Sequence, residues 1–478
     1  MPGAVQLQNK RVLVVGLART GVATSLFCAR RGAMVTATDT RAESEIGEAV
    51  NSLRNAGVQL ELGGHRENTF LQQELIIPSP GVPADAPLLQ AARAKAITIW
   101  SEIELAYRFR QGKLIGITGS NGKTTTTSLV EHILHTASFP TILAGNIGTP
   151  LIACVEQMTP GTVTVVELSS FQLELVQSFR TDISVFLNLT PDHLDRHHTL
   201  EAYAKAKARI FENQGEIDFA VLNADDAATT PLAPTRPRLY WFSRKQRAAQ
   251  GAFLRGGDII FRSEGREEVV MPQTDVRLPG AHNLENALAA ITAARLAGAD
   301  ASAIADGVRS FKGVEHRLEF VANINGVRYY NDSKATNVDA ALKALDAFPG
   351  RILIILGGKD KGSDYAPLRT PLHAKAVLAL LIGAAAEKIE SQIAGSVAIE
   401  RAETLPHALE LAAQAAKPGD VVLLAPACAS FDQFQNYEHR GHVFKELVHE
   451  LEKHAEGLPS FTRERDFSKG ASGSAKTL

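Results

Sequence analysis

A lysine and two threonines stand where a predicted strand passes into a helix, in the segment Thr118-Gly-Ser-Asn-Gly-Lys-Thr-Thr125. In such a loop the backbone N–H groups face phosphate oxygens, the lysine supplies a cation for the β- and γ-phosphates, and the next hydroxyl binds Mg²⁺. The standard spacing places a glycine where Ile117 stands here. The segment is therefore predicted to be a variant P-loop whose ATP-binding residues are Gly119, Ser120, Asn121, Gly122, Lys123, Thr124 and Thr125.

Acidic and imidazole side chains follow two further predicted strands of the same block. Glu167 ends the strand Val163–Glu167, where a carboxylate can bind Mg²⁺ as the second acidic element of P-loop enzymes does. The segment Asn188–His198 then holds three histidines and two aspartates. It has no cysteine, and the P-loop favours Mg²⁺ over zinc. A solvated polar loop with at most one functional histidine is the alternative interpretation.

A second glycine-containing turn follows the first predicted strand. Gly16 and Gly21 bracket this turn, and Asp39 ends the next strand 23 residues after Gly16. In dinucleotide-binding folds such a turn approaches a pyrophosphate, and the acid meets a ribose hydroxyl. Ala18 stands where the middle glycine of that fingerprint is expected. Three interpretations stay open: a redox dinucleotide, another diphosphate-bearing nucleotide, or close packing of a helix on a strand.

Three polar loops follow predicted strands near the carboxyl end of the chain. They are Asn331–Asn337, Gly357–Gly362 and Pro426–Gln433. Ligands of open α/β sheets bind outside the carboxyl ends of the strands. We therefore expect these loops to converge on one site.

Composition and charge limit the classes of protein. The chain has 478 residues, with 50 Lys and Arg against 52 Asp and Glu and a net charge of -2. At about 100–200 residues per domain this length excludes a small binding module. The charge balance gives no basic field for nucleic acid, and the longest uncharged apolar stretch, residues 376–386, is far short of the roughly 20 residues that span a membrane. We expect no nucleic-acid partner and no membrane insertion.

The compartment follows from the N-terminus and the cysteines. No small-residue cleavage site follows the short apolar run Val12–Ala18, so no signal peptide is predicted. The chain has three cysteines, widely separated and each in an apolar context. Because disulfides are rare in reducing compartments, we expect a cytoplasmic protein whose Cys28, Cys154 and Cys428 are buried thiols.

Alternating strands and helices predict an α/β fold. Arg11–Val15, a helix and Met34–Thr38 form a βαβ unit, and repeated units build a parallel sheet. Further blocks begin near Lys113–Thr118 and Val327–Tyr330. We predict a Rossmann-like domain at residues 1–101, a central P-loop ATPase-type domain with a mostly parallel sheet at 102–313, a second Rossmann-like domain at 314–458, and a disordered tail at 459–478.

Taken together, the motifs resemble those of the Mur ligases, and most of all those of the members that add D-glutamate. The resemblance covers roughly residues 9–455, and the family's own loop, T-G-[ST]-N-G-K-[ST], accounts for the unusual P-loop spacing. The other matching motifs are Glu167–Gln172, Asp192–Arg196, His282–Asn286, Glu315–Arg317, Asn331–Asn337 and Ala427–Phe434.

The resemblance implies an ATP-dependent ligase of peptidoglycan precursor synthesis. ATP would phosphorylate the carboxylate of UDP-N-acetylmuramoyl-L-alanine, and the amine of D-glutamate would attack the acyl phosphate to give an amide, ADP and phosphate. Lys123 would hold the transferred phosphate. Thr124 and Glu167 would bind one Mg²⁺ and His193 a second, which brings the attacking carboxylate close to ATP.

The resemblance also implies a lysine carbamylated by carbon dioxide. Lys207 matches its position, and Lys205 is the competing lysine. Carbamylation would turn a cation that Mg²⁺ repels into a carboxylate that binds it. Without the resemblance, both lysines would be predicted to be solvated charges on a helix.

The remaining implied residues bind the three substrates. Tyr437 departs from the family, which often has Phe there, and Lys359 is an alternative to Lys361. We expect small-molecule substrates and a monomer. The implied ATP-binding residues are Asn283, Asn286, Arg317, Asp332 and Lys334. The UDP-linked substrate would be bound by the domain at residues 1–101 and by Gly16, Gly21, Asp39, Thr40, Arg41, Asn146 and His193. The implied D-glutamate-binding residues are Thr336, Lys361, Ser430 and Tyr437.

Three alternative functions remain. Another Mur ligase or a folylpolyglutamate synthase would share the P-loop and metal residues but add a different amino acid; the Asp-Asn-Pro-Arg signature expected of a diamino-acid-adding ligase is absent from the sequence. A nicotinamide-dinucleotide oxidoreductase would use the first glycine turn and leave the P-loop without a role. A non-catalytic nucleotide switch would leave the loops of the third block without one.

Overall fold

The structure is a computed structural model that describes residues 5–455. The chain divides, as far as it is described, into two compact units: Met1–Arg277 with His282–Phe311, and Leu278–Ala281 with Lys312–Leu478. The predicted tail at 459–478 lies outside the described residues. The α/β class is confirmed in both units, whereas the domain boundaries near residues 101 and 313 stay predictions.

The first sheet of the N-terminal unit is parallel, as the βαβ pattern predicts. Its strands are β1 (Arg11–Val15), β2 (Met34–Asp39), β3 (Gln59–Leu62), β4 (Leu75–Pro78) and β5 (Thr98–Ile99), and the helices between them are α1 (Arg19–Arg30), α2 (Glu43–Ile46), α3 (Ala49–Asn55), α4 (Glu67–Leu71) and α5 (Pro87–Ala94). The strand order is β3-β2-β1-β4-β5. The order reverses at β1, so the Gly16–Gly21 turn lies at the switch point where doubly wound sheets bind ligands.

The second sheet of this unit is also parallel. Its strands are β6 (Lys113–Thr118), β7 (Thr141–Gly145), β8 (Val163–Glu167), β9 (Ile183–Phe186), β10 (Phe219–Asn223) and β11 (Arg238–Phe242), and the helices of this region are α6 (Glu102–Tyr107), α7 (Lys123–Thr136), α8 (Leu151–Cys154), α9 (Ser170–Leu173), α10 (Leu194–His197), α11 (Leu200–Ala208), α12 (Ala281–Ala297) and α13 (Ala301–Ser310). In the order β11-β10-β9-β6-β8-β7, the strand β6 pairs with both β8 and β9. The segments that follow these three strands therefore begin at one edge of the sheet.

A small antiparallel sheet, which the sequence analysis did not predict, completes the unit. It consists of β12 (Gly251–Arg255), β13 (Asp258–Ser263) and β14 (Arg266–Pro272). Its turns are Gly256-Gly257 and Glu264-Gly265, and all four residues have positive φ. Two-residue turns of this kind match the twist of a hairpin. The Gly-Gly and Glu-Gly pairs in the sequence therefore indicate two β-hairpins.

The second unit contains one mixed sheet. Its strands are β15 (Glu319–Ile324), β16 (Val327–Asn331), β17 (Ile352–Gly357), β18 (Ala376–Ile382), β19 (Ile399–Glu403) and β20 (Val421–Leu424), and its helices are α14 (Val338–Asp346), α15 (Arg369–Lys375), α16 (Ala386–Ile393), α17 (Leu405–Ala415) and α18 (Tyr437–Ala455). The order is β15-β16-β20-β17-β18-β19. Only the first pair is antiparallel. The loops after β16, β20 and β17 begin side by side.

Aliphatic strands form the cores of both units. Every residue of β17 and β20 is buried, as expected of parallel strands covered on both faces. Cys28, Cys154 and Cys428 are free and buried, which confirms the predicted role of these thiols. No helix within residues 5–455 combines the length and the apolar character that crossing a membrane requires.

A buried carboxylate joins α6 to the segment before β9. Glu104 is 0% exposed, and its Oε2 accepts hydrogen bonds from the backbone N–H groups of Gln177, Ser178 and Phe179 at 2.9, 3.0 and 2.8 Å. Arg108 Nε donates to Oε1 at 2.9 Å. The carboxylate satisfies backbone donors that the burial of this segment would otherwise leave unpaired.

Glu104→Gln should destabilise the N-terminal unit. The amide keeps the shape of the side chain but removes the charge that three N–H groups and Arg108 share, which should lower the free energy of unfolding by about 3 kcal/mol. Urea unfolding followed by tryptophan fluorescence measures the change. Glu43→Gln is the control, because Glu43 pairs with Arg54 at the surface and exposed pairs contribute little. Equal effects of the two substitutions would contradict the prediction.

Candidate active site

The P-loop connects β6 to α7, as predicted. Gly119 and Gly122 have φ of 149° and 82°, values that side chains rarely adopt, and a Cβ at Gly119 would lie 2.9 Å from Leu187 Cβ. Lys123 Nζ donates to the carbonyls of Gly119 and Ser120 at 2.9 and 2.8 Å. The ammonium group is therefore held over the loop.

Asn188, which follows β9, holds the P-loop from the neighbouring strand. Its carbonyl accepts from Ser120 N at 2.9 Å, and its Oδ1 accepts from Asn121 N at 2.8 Å. Ser120 Oγ also donates to Thr190 O at 2.9 Å. The loop backbone is thus fixed before a ligand arrives, which lowers the entropic cost of binding phosphate.

Glu167 ends β8 beside the P-loop and is 2% exposed. Its Oε1 accepts from Asn146 Nδ2 at 2.7 Å, while its Oε2 is buried and has no hydrogen-bond partner. Leaving a carboxylate oxygen unpaired in a buried place is costly, and an oxygen ligand of this kind suits Mg²⁺. The residues present therefore fit a magnesium ion at this position.

Lys207 lies on α11 and points back to the P-loop. Its side chain is 1% exposed, and Nζ donates to Gly119 O at 2.8 Å and lies 4.5 Å from the centre of the Tyr203 ring. Burial, together with the nearby charge of Lys123, lowers its pKa to about 6. Lys205 on the same helix is exposed. The prediction from the bare sequence that both lysines are solvated is wrong for Lys207.

The histidines of the segment after β9 differ in environment. His193 has a φ of 52° and a half-exposed side chain. Its ring forms a T-shaped contact with the Phe171 ring, and the two ring centroids are 4.9 Å apart. His197 is buried, stacks on Phe171 and shares a 2.9 Å hydrogen bond with Ser170 Oγ. His193 is therefore the accessible imidazole of the two, and His197 packs beneath it.

The two predicted adenine-site asparagines lie on α12 beside the P-loop. Asn283 and Asn286 are buried, and Asn286 Nδ2 donates to Asn283 Oδ1 at 3.1 Å. A Cβ at Gly122 would collide with Asn286 Oδ1. Gly122 is therefore required both by its φ and by the approach of this helix.

In the first sheet, the Asp39 side chain forms a hydrogen bond with the backbone of the glycine turn. Its Oδ2 accepts from Leu17 N at 2.7 Å and from Arg41 Nη2 at 2.9 Å. Its Oδ1 accepts from Arg41 N and Nε at 2.9 and 3.1 Å. Arg41 holds the pKa of this carboxyl well below its usual range. Both oxygens are occupied, which disfavours the ribose contact of a redox dinucleotide. Thr40 beside it is exposed.

The three polar loops of the second unit converge, as predicted. Gly357 N donates to Pro426 O at 2.8 Å, Lys359 N to Ala429 O at 2.9 Å, and Ala427 N to Ala335 O at 2.9 Å. Backbone hydrogen bonds therefore connect the loops after β16, β17 and β20 into one surface. Of the predicted residues on these loops, Asp332 and Ser430 are buried, Thr336 is half-buried and Lys361 is exposed. Tyr437, the first residue of α18, is half-buried.

Asp332 and Lys334 lie on the loop after β16. Asp332 Oδ1 accepts from Leu318 N at 3.3 Å, and burial raises the pKa of this carboxyl to about 7. Lys334 Nζ lies 5.4 Å from the centre of the Tyr437 ring. Arg317 comes just before β15 and is half-buried. These three side chains belong to the same end of the second unit.

Arg440, which was not predicted from the sequence, connects two of these loops from the buried side. The side chain is 0% exposed, and its guanidinium donates to Ser333 Oγ, Ser333 O and Cys428 O at 3.0, 2.8 and 3.2 Å. Because Ser333 and Cys428 lie on different loops, Arg440 connects the two. In the sequence it looks like a surface charge on a long helix, and nothing there signals its burial.

Glu315, His316 and His442 form a cluster of residue types that bind metal ions, but Glu315 and His316 already have other partners. Within residues 5–455, this is the group of three His, Cys, Asp or Glu side chains whose ligand atoms all lie within 4.8 Å of one another. Asn331 Nδ2 lies 3.0 Å from His316 Nδ1 and occupies that ring nitrogen. Lys445 already forms an ion pair with Glu315. The cluster is an ion-pair network.

Comparison with known proteins gives matches along most of the chain. Residues 10–101 match the family described as Mur ligase MurD-like, N-terminal domain, residues 117–294 the Mur ligase middle domain, and residues 316–428 the Mur ligase, glutamate ligase domain. The UDP-N-acetylmuramoylalanine–D-glutamate ligase of Acidobacterium capsulatum is 53% identical over 93% of this chain and 97% of its own length. That of Koribacter versatilis is 51% identical over 94% and 99%.

Solved structures share the fold at low identity. The UDP-N-acetylmuramate–alanine ligase of Thermotoga maritima has a TM-score of 0.56 and 20% identity, covering 92% of this chain and 99% of its own. The MurF ligase of the same organism, solved with ADP, has a TM-score of 0.57 and 17% identity over 94% and 96%. Relatives that share half of their residues over nearly the whole length settle the family: this chain belongs to the Mur ligases.

Proposed function

We propose that the protein joins D-glutamate to UDP-N-acetylmuramoyl-L-alanine with ATP, releasing ADP and phosphate. The proposal depends on one observation: the chain is 53% and 51% identical to two proteins named UDP-N-acetylmuramoylalanine–D-glutamate ligase, over nearly the full length of each. The substrate's carboxylate attacks the γ-phosphate to form an acyl phosphate, and the amine of D-glutamate then displaces phosphate to form the amide.

The P-loop supplies the phosphate site in this proposal. Phosphoryl transfer depends mainly on alignment and charge neutralisation. Lys123 leaves the loop carbonyls to bind the transferred phosphate, and the remaining loop residues surround the others: Gly119, Ser120, Asn121, Gly122, Thr124 and Thr125. Asn286, which lies close to the P-loop residue Gly122, and Asn283, which accepts a hydrogen bond from Asn286, border the adenine.

The proposal includes two magnesium ions beside the P-loop. Thr124 and the unpaired Oε2 of Glu167 would hold one ion, and His193 with carbamylated Lys207 would hold the second. The ions supply positive charge that lets two anionic groups approach each other. Lys207 suits carbamylation because its amine is buried and its pKa is low, and the neutral amine is the form that adds to carbon dioxide.

The other substrates are assigned to the remaining surfaces. Gly16, Gly21, Thr40 and Arg41 would bind the uridine diphosphate at the switch point of the first sheet, and Asp39 would take part by holding Arg41 and the glycine turn. Asn146 and His193 would lie toward the muramoyl end. Arg317, Asp332 and Lys334 would bind ATP, and Thr336, Lys361, Ser430 and Tyr437 would bind D-glutamate. We further propose the domains 1–101, 102–313 and 314–458, a monomer, and a cytoplasmic location, where nucleotide-linked precursors are made.

Phosphate release tests the proposed function. The purified protein is given ATP, Mg²⁺ and UDP-N-acetylmuramoyl-L-alanine, with D-Glu, L-Glu, L-Lys or meso-diaminopimelate in parallel reactions. We expect release only with D-Glu and only when the nucleotide substrate is present. Stimulation by a different amino acid would identify another Mur ligase, and release with a folate substrate would identify a folylpolyglutamate synthase. NADH turnover without phosphate release would identify the oxidoreductase.

A further inference from the structure

The loop after β17 is built around one carboxylate. Asp360 Oδ1 accepts from Ser363 N at 3.1 Å and from the Tyr365 hydroxyl at 2.9 Å. Its Oδ2 accepts from Lys388 Nζ at 2.7 Å. The turn that this carboxylate closes contains Lys361, which is exposed. The backbone on either side of Lys361 is therefore held by Asp360.

The partners of Asp360 are themselves anchored in the second unit. Tyr365 is 0% exposed, and its hydroxyl also forms a 3.0 Å hydrogen bond with Cys428 Sγ. Lys388 belongs to α16 and lies 5.6 Å from the centre of the Tyr365 ring. A turn held by a buried phenol and a helix has fewer conformations to lose when a ligand binds.

The same network reaches the loop after β20. Cys428 lies two residues before Ser430. The residue between these two, Ala429, accepts a hydrogen bond through its carbonyl from Lys359 N at 2.9 Å. Gly358 allows this approach, because a Cβ there would collide with Ala429 O. The turn that carries Lys361 and the segment that carries Ser430 are therefore fixed to each other by backbone and side-chain contacts.

Charge gives the network a second effect. A carboxylate next to a substrate-binding lysine would compete with the substrate's own carboxylate for the ammonium group. Here both oxygens of Asp360 are taken by Lys388, Tyr365 and Ser363. Lys388 thus neutralises Asp360, and the cation of Lys361 stays available to an anionic ligand.

We infer that Asp360, with Lys388 and Tyr365, is a positioning residue that holds Lys361 for a carboxylate of the incoming amino acid. This inference rests on the proposed function, since Lys361 is assigned to D-glutamate there. Asp360 does not touch the substrate. It acts through the turn and through the neutralisation of its own charge.

The experiment compares Asp360→Asn with Asp364→Asn in the phosphate-release assay of the full-length protein. Asp364 is the matched control, because it lies in the same connection and caps Ala366 N at 3.0 Å. Asp360→Asn should raise the KM for D-glutamate about tenfold and change kcat less than about threefold. The KM values for ATP and for the UDP-linked substrate should stay the same, and Asp364→Asn should match wild type.

A double substitution tests whether Asp360 acts through Lys361. Lys361→Ala itself should raise the KM for D-glutamate. Adding Asp360→Asn to this variant should raise that KM by less than about a further twofold. Tyr365→Phe, which removes only the hydroxyl, should reproduce part of the rise in KM expected for Asp360→Asn. It replaces Asp360→Asn in the test if that variant does not fold.

Three results with Asp360→Asn would overturn the inference. They are an unchanged KM for D-glutamate in Asp360→Asn, a full additional effect in the Lys361→Ala background, and equal losses for all three substrates. If Lys361→Ala leaves the KM for D-glutamate unchanged, the inference also fails. The ligase function then still stands wherever the wild-type protein releases phosphate in response to D-glutamate.

Discussion

Lys207→Ala should lower the turnover number about 10³-fold, the loss expected when a group that stabilises transition-state charge is removed. The wild-type side chain is buried against Gly119 O, so the alanine variant leaves a polar gap beside the P-loop. If Lys207 acts as a carbamate, a small carboxylate can enter this gap and supply the missing negative charge. Formate or acetate at millimolar concentration should therefore restore part of the activity.

The measurement is phosphate release with and without added carboxylate, with chloride at the same ionic strength as the reference. Lys205→Ala is the matched control, because Lys205 lies on the same helix but is exposed. It should keep nearly full activity and show no response to carboxylates. Full activity of Lys207→Ala without any addition would refute the carbamate role, and rescue by amines instead of carboxylates would show that Lys207 acts as a cation.

Glu167→Gln should produce the second large loss, about 10²- to 10³-fold in kcat. The amide keeps the size of the side chain, and its oxygen can still accept from Asn146 Nδ2. The charge that would bind Mg²⁺ disappears, so the concentration of Mg²⁺ for half-maximal activity should rise about tenfold or more.

Titration of the activity with Mg²⁺ at saturating ATP measures both effects. Glu216→Gln provides the control, since Glu216 is an exposed carboxylate of the same unit and should behave as wild type. A loss of kcat with an unchanged Mg²⁺ requirement would mean that Glu167 acts on Asn146 or the P-loop and not on the metal.

Much of the fold could be predicted because its signals are short and local. The strand, the glycine loop and the helix of the P-loop are consecutive in the chain. β6 covers the predicted segment Lys113–Thr118, and α7 begins directly after the glycine loop. The parallel sheets follow from the alternation of strands and helices. The antiparallel strands β12–β14 were missed because they interrupt that alternation, although their two-residue turns were visible.

The candidate site was less accessible to sequence reasoning, because its residues come from distant segments. Glu167 was predicted from its place at the end of a strand, but only the tertiary structure shows that Asn146 binds its Oε1 while its buried Oε2 has no hydrogen-bond partner. Arg440 and Lys388 could not be singled out at all. Lys388 lies 28 residues from Asp360, and Arg440 lies 107 residues from Ser333.

The sequence by itself determined the α/β class, the phosphate loop and the polar loops at the carboxyl ends of strands, because each depends on a contiguous pattern. Only the tertiary structure decided which of two neighbouring charges is buried. Lys205 and Lys207 are two residues apart on α11 and therefore point about 200° apart around the helix. The helix packs one of these faces against the P-loop, so one lysine is buried and the other stays in water.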